Sequence, residues 1–228
     1  MSTQFQTKWI RAGLVALPIY GLLTAWSSFA PQPDPTEDPE GWAQFVSTPS
    51  YVFSHLVGSI GGTILAIFAV FALGSYLATT RAGRLALPAM VTTVLGHALL
   101  LVPATISTFA TPALGQAYLS GSNDVMQVEF SGTMTLTFLV GLLLAFVGSL
   151  LLGVAMWRST VVPRGAAVVW IIGTIVFYPL GVVVGMATVN ASLPTQVIGA
   201  LLIAVSGAWV AWAAFGGRTA RSRVPAPV

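Results

Sequence analysis

The apolar run Tyr51–Ala78 (YVFSHLVGSIGGTILAIFAVFALGSYLA), the basic turn Thr79–Arg84 (TTRAGR) and the second apolar run Leu85–Thr108 (LALPAMVTTVLGHALLLVPATIST) decide how this chain folds. Each run exceeds the roughly 20 residues that a helix needs to cross the hydrocarbon core of a bilayer. Neither shows the alternating polarity, in segments of about 10 residues, that marks a membrane-spanning strand. The stretch therefore reads as two helices joined by a short charged turn.

Composition extends that reading to the whole chain. Of 228 residues, 56% are hydrophobic and 7% charged, with a mean hydropathy of +0.87. A soluble domain covers its surface with about 25% charged residues, so a bilayer is the expected solvent. There is no cysteine, which excludes disulfides, thiolate metal sites and cysteine nucleophiles. The pI of about 9.7 does not signal nucleic acid, because the basic residues stand singly or in small groups at helix ends.

Working outward, the chain predicts an all-α integral membrane bundle of six helices in one domain, residues 1–217. Their expected bounds are 9–30, 51–78, 85–108, 129–157, 166–189 and 195–216. The first resembles a secretory signal, with Lys8 and Arg11 ahead of an apolar middle and Ser28-Phe29-Ala30 at its end. Pro31 and the length of the run favour a retained helix, with the mature protein expected to begin at or near Met1 and the helix kinked at Pro18. The proline-rich loop 31–50 leaves room for a short turn from Asp38 to Val46, with Trp42 and Phe45 at headgroup level. A long loop with Pro112, Gly115, Gly121, Asn123 and Asp124 is expected after the third helix. The basic tail, residues 218–228, is expected to be disordered.

Charge sets the expected orientation. With six helices, all nine basic residues, from Lys8 to Arg223, fall on one side. All six acids, from Asp34 to Glu129, fall on or near the other. The positive-inside rule then puts both termini in the cytoplasm of a plasma (inner) membrane protein. A shift of 77 residues brings Phe53-Ser54 onto Phe130-Ser131, Arg81 onto Arg158 and Gly96 onto Gly173. That is a weak parallel repeat of helices two and three with four and five, or two hairpins under one membrane constraint.

Two histidines carry the candidate chemistry. His97 lies about 13 residues in from Arg84, roughly mid-bilayer. An ionisable group there is costly and marks a function, or is a neutral ring bonded to a neighbouring Thr, Ser or Tyr, with Thr92, Thr93 and Thr63 at hand in this helix pair. His55 falls near the outer interface. Both are candidate cofactor ligands, His55 the weaker, but their depths differ by about 20 Å, too much for one haem. Pro103 and Pro179 free backbone carbonyls and, with His97, mark a cavity if helices three and five pack side by side. Gly58 with Gly62, and Gly181 with Gly185, are GxxxG pairs for helix packing. Glu129 complements a helix dipole, and Asn190-Ala191-Ser192 matches a glycosylation pattern close to the membrane.

No HExxH, GxSxG, P-loop or GxGxxG is present, no lysine lies inside a helix and no carboxylate lies mid-membrane. The residues name no reaction and no metal. Three readings follow. The first is a non-enzymatic accessory or scaffolding subunit presenting acidic outer loops to a membrane-protein partner or to its own copies. The second is a permease or channel for a small neutral or apolar solute. The third, the least supported, is a haem-binding electron carrier.

Overall fold

The computed structural model describes residues 3–128, 131–188 and 193–216. Within them the chain is helical, without strands, and six helices are long and apolar enough to cross a membrane. Glu129 and the Asn190-Ala191-Ser192 pattern lie outside the described residues, as does the basic tail.

The first span is two helices, α1 (Thr3–Leu14) and α2 (Ala16–Ser27), broken at Val15. Pro18 accounts for the break: it has no N–H to give the Leu14 carbonyl and its ring crowds that carbonyl. A short α3 (Pro39–Val46) follows, capped by the Asp38 side chain, which accepts from the Gly41 N–H at 2.9 Å. The second span opens at α4 (Pro49–Ser54), passes through a π-helical segment, His55–Gly61, and continues as α5 (Gly62–Ala78). The third, α6 (Gly83–Leu119), is unbroken over 37 residues despite Pro88, Pro103 and Pro112. Expected to end near Thr108, it instead carries Pro112 and Gly115 as helix, and the turn comes at Gly121, with φ +98°. The fourth span is α7 (Gly132–Ser159), which stops at left-handed Thr160. The fifth is α8 (Arg164–Ile175), a π-helical segment Val176–Val183, and α9 (Val184–Thr188); α10 (Pro194–Gly216) is the sixth.

Each span packs against its neighbours in sequence. The α2 helix meets α5, α5 meets α6, α6 meets α7, α7 meets α8 and α8 meets α10, which returns to α2. The six close into a ring. Small residues make its contacts: Ala66, Ala69, Ala86, Ala145, Ala155, Ala167 and Ala200 are buried, whereas Phe68, Leu95, Leu143 and Val205 are more than half exposed. This inversion of size suits a lipid solvent. Oily chains outside remove the hydrophobic drive between helices, so close backbone approach holds them together.

The two ends of the ring differ. Arg81 donates its Nε–H to the Arg158 carbonyl at 2.6 Å, which brings the two basic turns together at one end. At the other, acidic end, α3 covers the overhanging last turns of α6. Trp42, Ala43, Val46 and Tyr51 form a small core there with Leu114 and Tyr118. Trp42 is 7% exposed and packs inward under this cap.

Candidate functional site

A cavity of about 570 Å³ opens at the acidic end of the ring. Both π-helical segments contribute to its wall: His55 and Ser59 from one, Phe177, Tyr178 and Val182 from the other. Single-turn π distortions are frequent at functional sites because they re-aim side chains within an otherwise regular helix. Six serines line the space (Ser27, Ser28, Ser50, Ser54, Ser59 and Ser107), together with Gln32 and Gln196. Trp26, Phe29, Phe45, Phe138 and Phe177 add aromatic surface, Leu100, Pro103, Ala104 and Leu142 add aliphatic surface, and no Asp, Glu, Lys or Arg is among the described lining residues.

The hydroxyls are polarised. Ser27 donates to the Thr24 carbonyl at 3.0 Å and Ser54 to the Tyr51 carbonyl at 2.9 Å. Gln196 donates its Nε2–H to the Ser28 hydroxyl at 3.1 Å, and Tyr51 and Ser107 share a bond of 3.0 Å. Ser27 and Ser54 thus commit their protons to the protein and keep oxygen lone pairs for the space, whereas Ser28, an acceptor, keeps a proton to donate. His55 follows the same pattern. Its Nδ1 lies 2.9 Å from the Tyr51 carbonyl, which can only accept, so the neutral ring keeps Nε2 as an acceptor. Its ring stacks on Tyr51 at 3.9 Å between centroids.

His97 is not in the cavity wall. It lies behind Tyr178, 4% exposed, on the axis of the ring. Close packing of α6 on α7 sets its position: a side chain at Gly96 would run into the Ala145 backbone, and one at Gly148 into Thr93. The His97 Nδ1 lies 2.9 Å from the Thr93 carbonyl and must carry the proton, leaving Nε2 to accept from the Tyr178 hydroxyl at 3.5 Å. Tyr20 meets the imidazole edge-on at 5.8 Å. First, third and fifth spans thus send Tyr20, His97 and Tyr178 to one point.

The candidate residues of the sequence fall as follows. Of the Thr, Ser or Tyr expected beside His97, the side chain that meets it is Tyr178 of another span, while the Thr93 hydroxyl turns back to the Ala89 carbonyl at 2.7 Å. Helices three and five are not ring neighbours and meet only across the axis. Pro103 lines the cavity, whereas Pro179 sits in the π-helical segment beside Tyr178 and is not among the lining residues. Gly58 abuts Ser27 and the Leu23 carbonyl, Gly62 faces Thr24, and Gly181 abuts Gln196, all within the chain. Gly185 is also buried. The two histidines do not share a face: His55 faces the cavity, while both His97 nitrogens are engaged behind its floor. Among the described residues, no three of His, Cys, Asp and Glu converge to hold a metal.

Tyr20 and Tyr178 carried a sequence signal that residue type alone hid. Tyr178 lies about as far from Arg164 as His97 does from Arg84, so the two share a depth at about 1.5 Å per residue. No protein family, curated protein or solved structure matches this chain.

Proposed function

We propose that the protein is a permease for a small uncharged, hydroxyl-bearing solute, with its binding site in the cavity at the acidic end. The observation that carries this reading is the lining: rich in hydroxyl and amide groups, aromatic, and among the described residues without a charged side chain beyond the titratable His55. Polar groups at membrane depth cost several kcal/mol each unless they meet water or a ligand. Hydroxyls that both accept and donate suit a solute that does the same, and aromatic faces suit its C–H surface. With no carboxylate among the described lining residues, none of these offers a counter-ion for a cation. The volume of about 570 Å³ lies within the range of small-molecule sites.

The ring axis supplies the route inward. Tyr178 is both cavity wall and partner of His97, so a solute that displaces its hydroxyl gains access to the Tyr20–His97 pair. The chain is read as crossing the plasma membrane six times with both termini cytoplasmic and the cavity facing outward, on the strength of the charge sorting. The 77-residue correspondence belongs to the same reading. The meeting of Arg81 with Arg158 supports it, while the π-helical segments do not follow the shift.

The test is solute flux. Liposomes containing the purified protein, stepped into glycerol, erythritol or sorbitol, are followed by light scattering as they reswell. Faster reswelling than in protein-free liposomes is expected for at least one polyol, abolished by Ser107→Trp, which fills the cavity. Equal rates across the series would overturn the proposal and return the acidic loops, as a surface for a protein partner, to first place.

A further inference from the structure

Arg11 is placed unlike the other described cations. Arg81 is bonded to the Arg158 carbonyl, and the Arg164 guanidinium lies 5.5 Å from the centroid of the Trp157 ring. Arg11 is half-buried in the groove where α1 packs on α5, a contact tightened by Gly13 against Ala72. Its Nε is shut off from solvent without an acceptor, and the group it acts on electrostatically is Tyr76 of α5. No carboxylate among the described residues can neutralise it, since Asp34, Glu37, Asp38, Glu40 and Asp124 all belong to the segments at the opposite end. Lys8, three residues earlier on the same helix face, is exposed.

The surface below this groove is apolar. Val15 and Ile19 continue the row of Arg11 at four-residue steps and are 42% and 43% exposed. Phe68, 63% exposed, continues the row of Tyr76 through Ala72. A cationic fork, a phenol and a lysine at the top of an apolar furrow match one chemistry: a phosphodiester with acyl chains beneath it. The planar guanidinium offers paired N–H donors to phosphate oxygens, and a long basic side chain near a helix end reaches naturally to headgroup level. Basic pockets between membrane helices bind anionic lipid headgroups by this chemistry. We propose that Lys8, Arg11 and Tyr76 form a binding site for the headgroup of an anionic glycerophospholipid, with its chains along Val15, Ile19 and Phe68.

Native mass spectrometry of the full chain in detergent tests this. It is titrated with phosphatidylglycerol, with phosphatidylcholine of the same acyl chains, and with inorganic phosphate. Phosphatidylglycerol should form the tighter adduct. Arg11→Gln should weaken it on the order of tenfold, the effect of losing a charge-assisted bond, and leave phosphatidylcholine unchanged. Tyr76→Phe, which keeps the packing and therefore reads the site even if Arg11→Gln fails to fold, should weaken it about threefold. Equal binding of the two lipids overturns the proposal, as does an unchanged lipid preference in Tyr76→Phe. Displacement of phosphatidylglycerol by millimolar phosphate would make this a free-anion site and overturn the assignment to lipid.

Discussion

Tyr178 holds the His97 Nε2 at 3.5 Å, with Tyr20 edge-on to the same imidazole. Tyr178→Phe removes the oxygen that meets Nε2. The loss should be about 0.6 kcal/mol, that of a typical bond within a membrane, read from unfolding of the purified protein in detergent. The same substitution should leave the His97 tautomer unchanged, because Nδ1 is held by the Thr93 carbonyl and not by Tyr178. Nitrogen-15 NMR of the labelled ring checks this, with Nδ1 protonated and Nε2 bare in both proteins. Asp34, outside the spans, presents a separate test. Its Oδ1 accepts from the Thr36 hydroxyl at 2.6 Å and the Thr36 N–H at 2.7 Å, which lowers its pKa below the ordinary carboxylate value. A depressed folded value means that this contribution to stability is full above the ordinary carboxylate pKa and is lost as pH falls through the depressed one. Thr36→Val removes the hydroxyl donor and should raise the Asp34 titration midpoint toward the ordinary value, as followed by carboxyl carbon NMR.

At the scale of elements, the contact between α6 and α7 carries the floor of the cavity. Gly96→Val would thrust a branched side chain into the Ala145 backbone and should cost about 1–3 kcal/mol, the usual range for overpacking. Gly132→Ala, with nothing within 4 Å of the added carbon, should stay within about 0.5 kcal/mol and serves as the control in the same unfolding assay. Helix existence was legible in the sequence because twenty apolar residues without charge have few alternatives in lipid. The kink from Pro18 was legible for the same local reason, a missing N–H. The end of α6 was not. Pro112 and Gly115 are loop residues by propensity, but Gly115 is pressed against Val46, Ser47 and the Ala43 carbonyl, a tertiary contact that the local pattern cannot announce. His97 stood out as an ionisable group at depth. Its partners did not, because Tyr20 and Tyr178 become notable only once the ring closes and the first, third and fifth spans face one another.

For the whole molecule, ring closure and charge sorting point to one arrangement. A reporter active only in the cytoplasm, fused at Arg84 or Arg164, should give signal, while fusions at Glu40 or Asn123 should give none. Signal at Glu40 would invert the cavity and place it in the cytoplasm. One further consequence comes from the length of α6. Its 37 residues extend about 55 Å, against about 30 Å of hydrocarbon, so its far turns stand clear of the oil and carry α3 with them. The cavity rim is thus framed by protein resting on protein. When bilayer thickness changes, the lipid-facing helices can tilt to follow it, but Trp42 and Val46 remain seated on Leu114. The entrance should then keep its width when a membrane grows thicker or thinner with temperature or sterol.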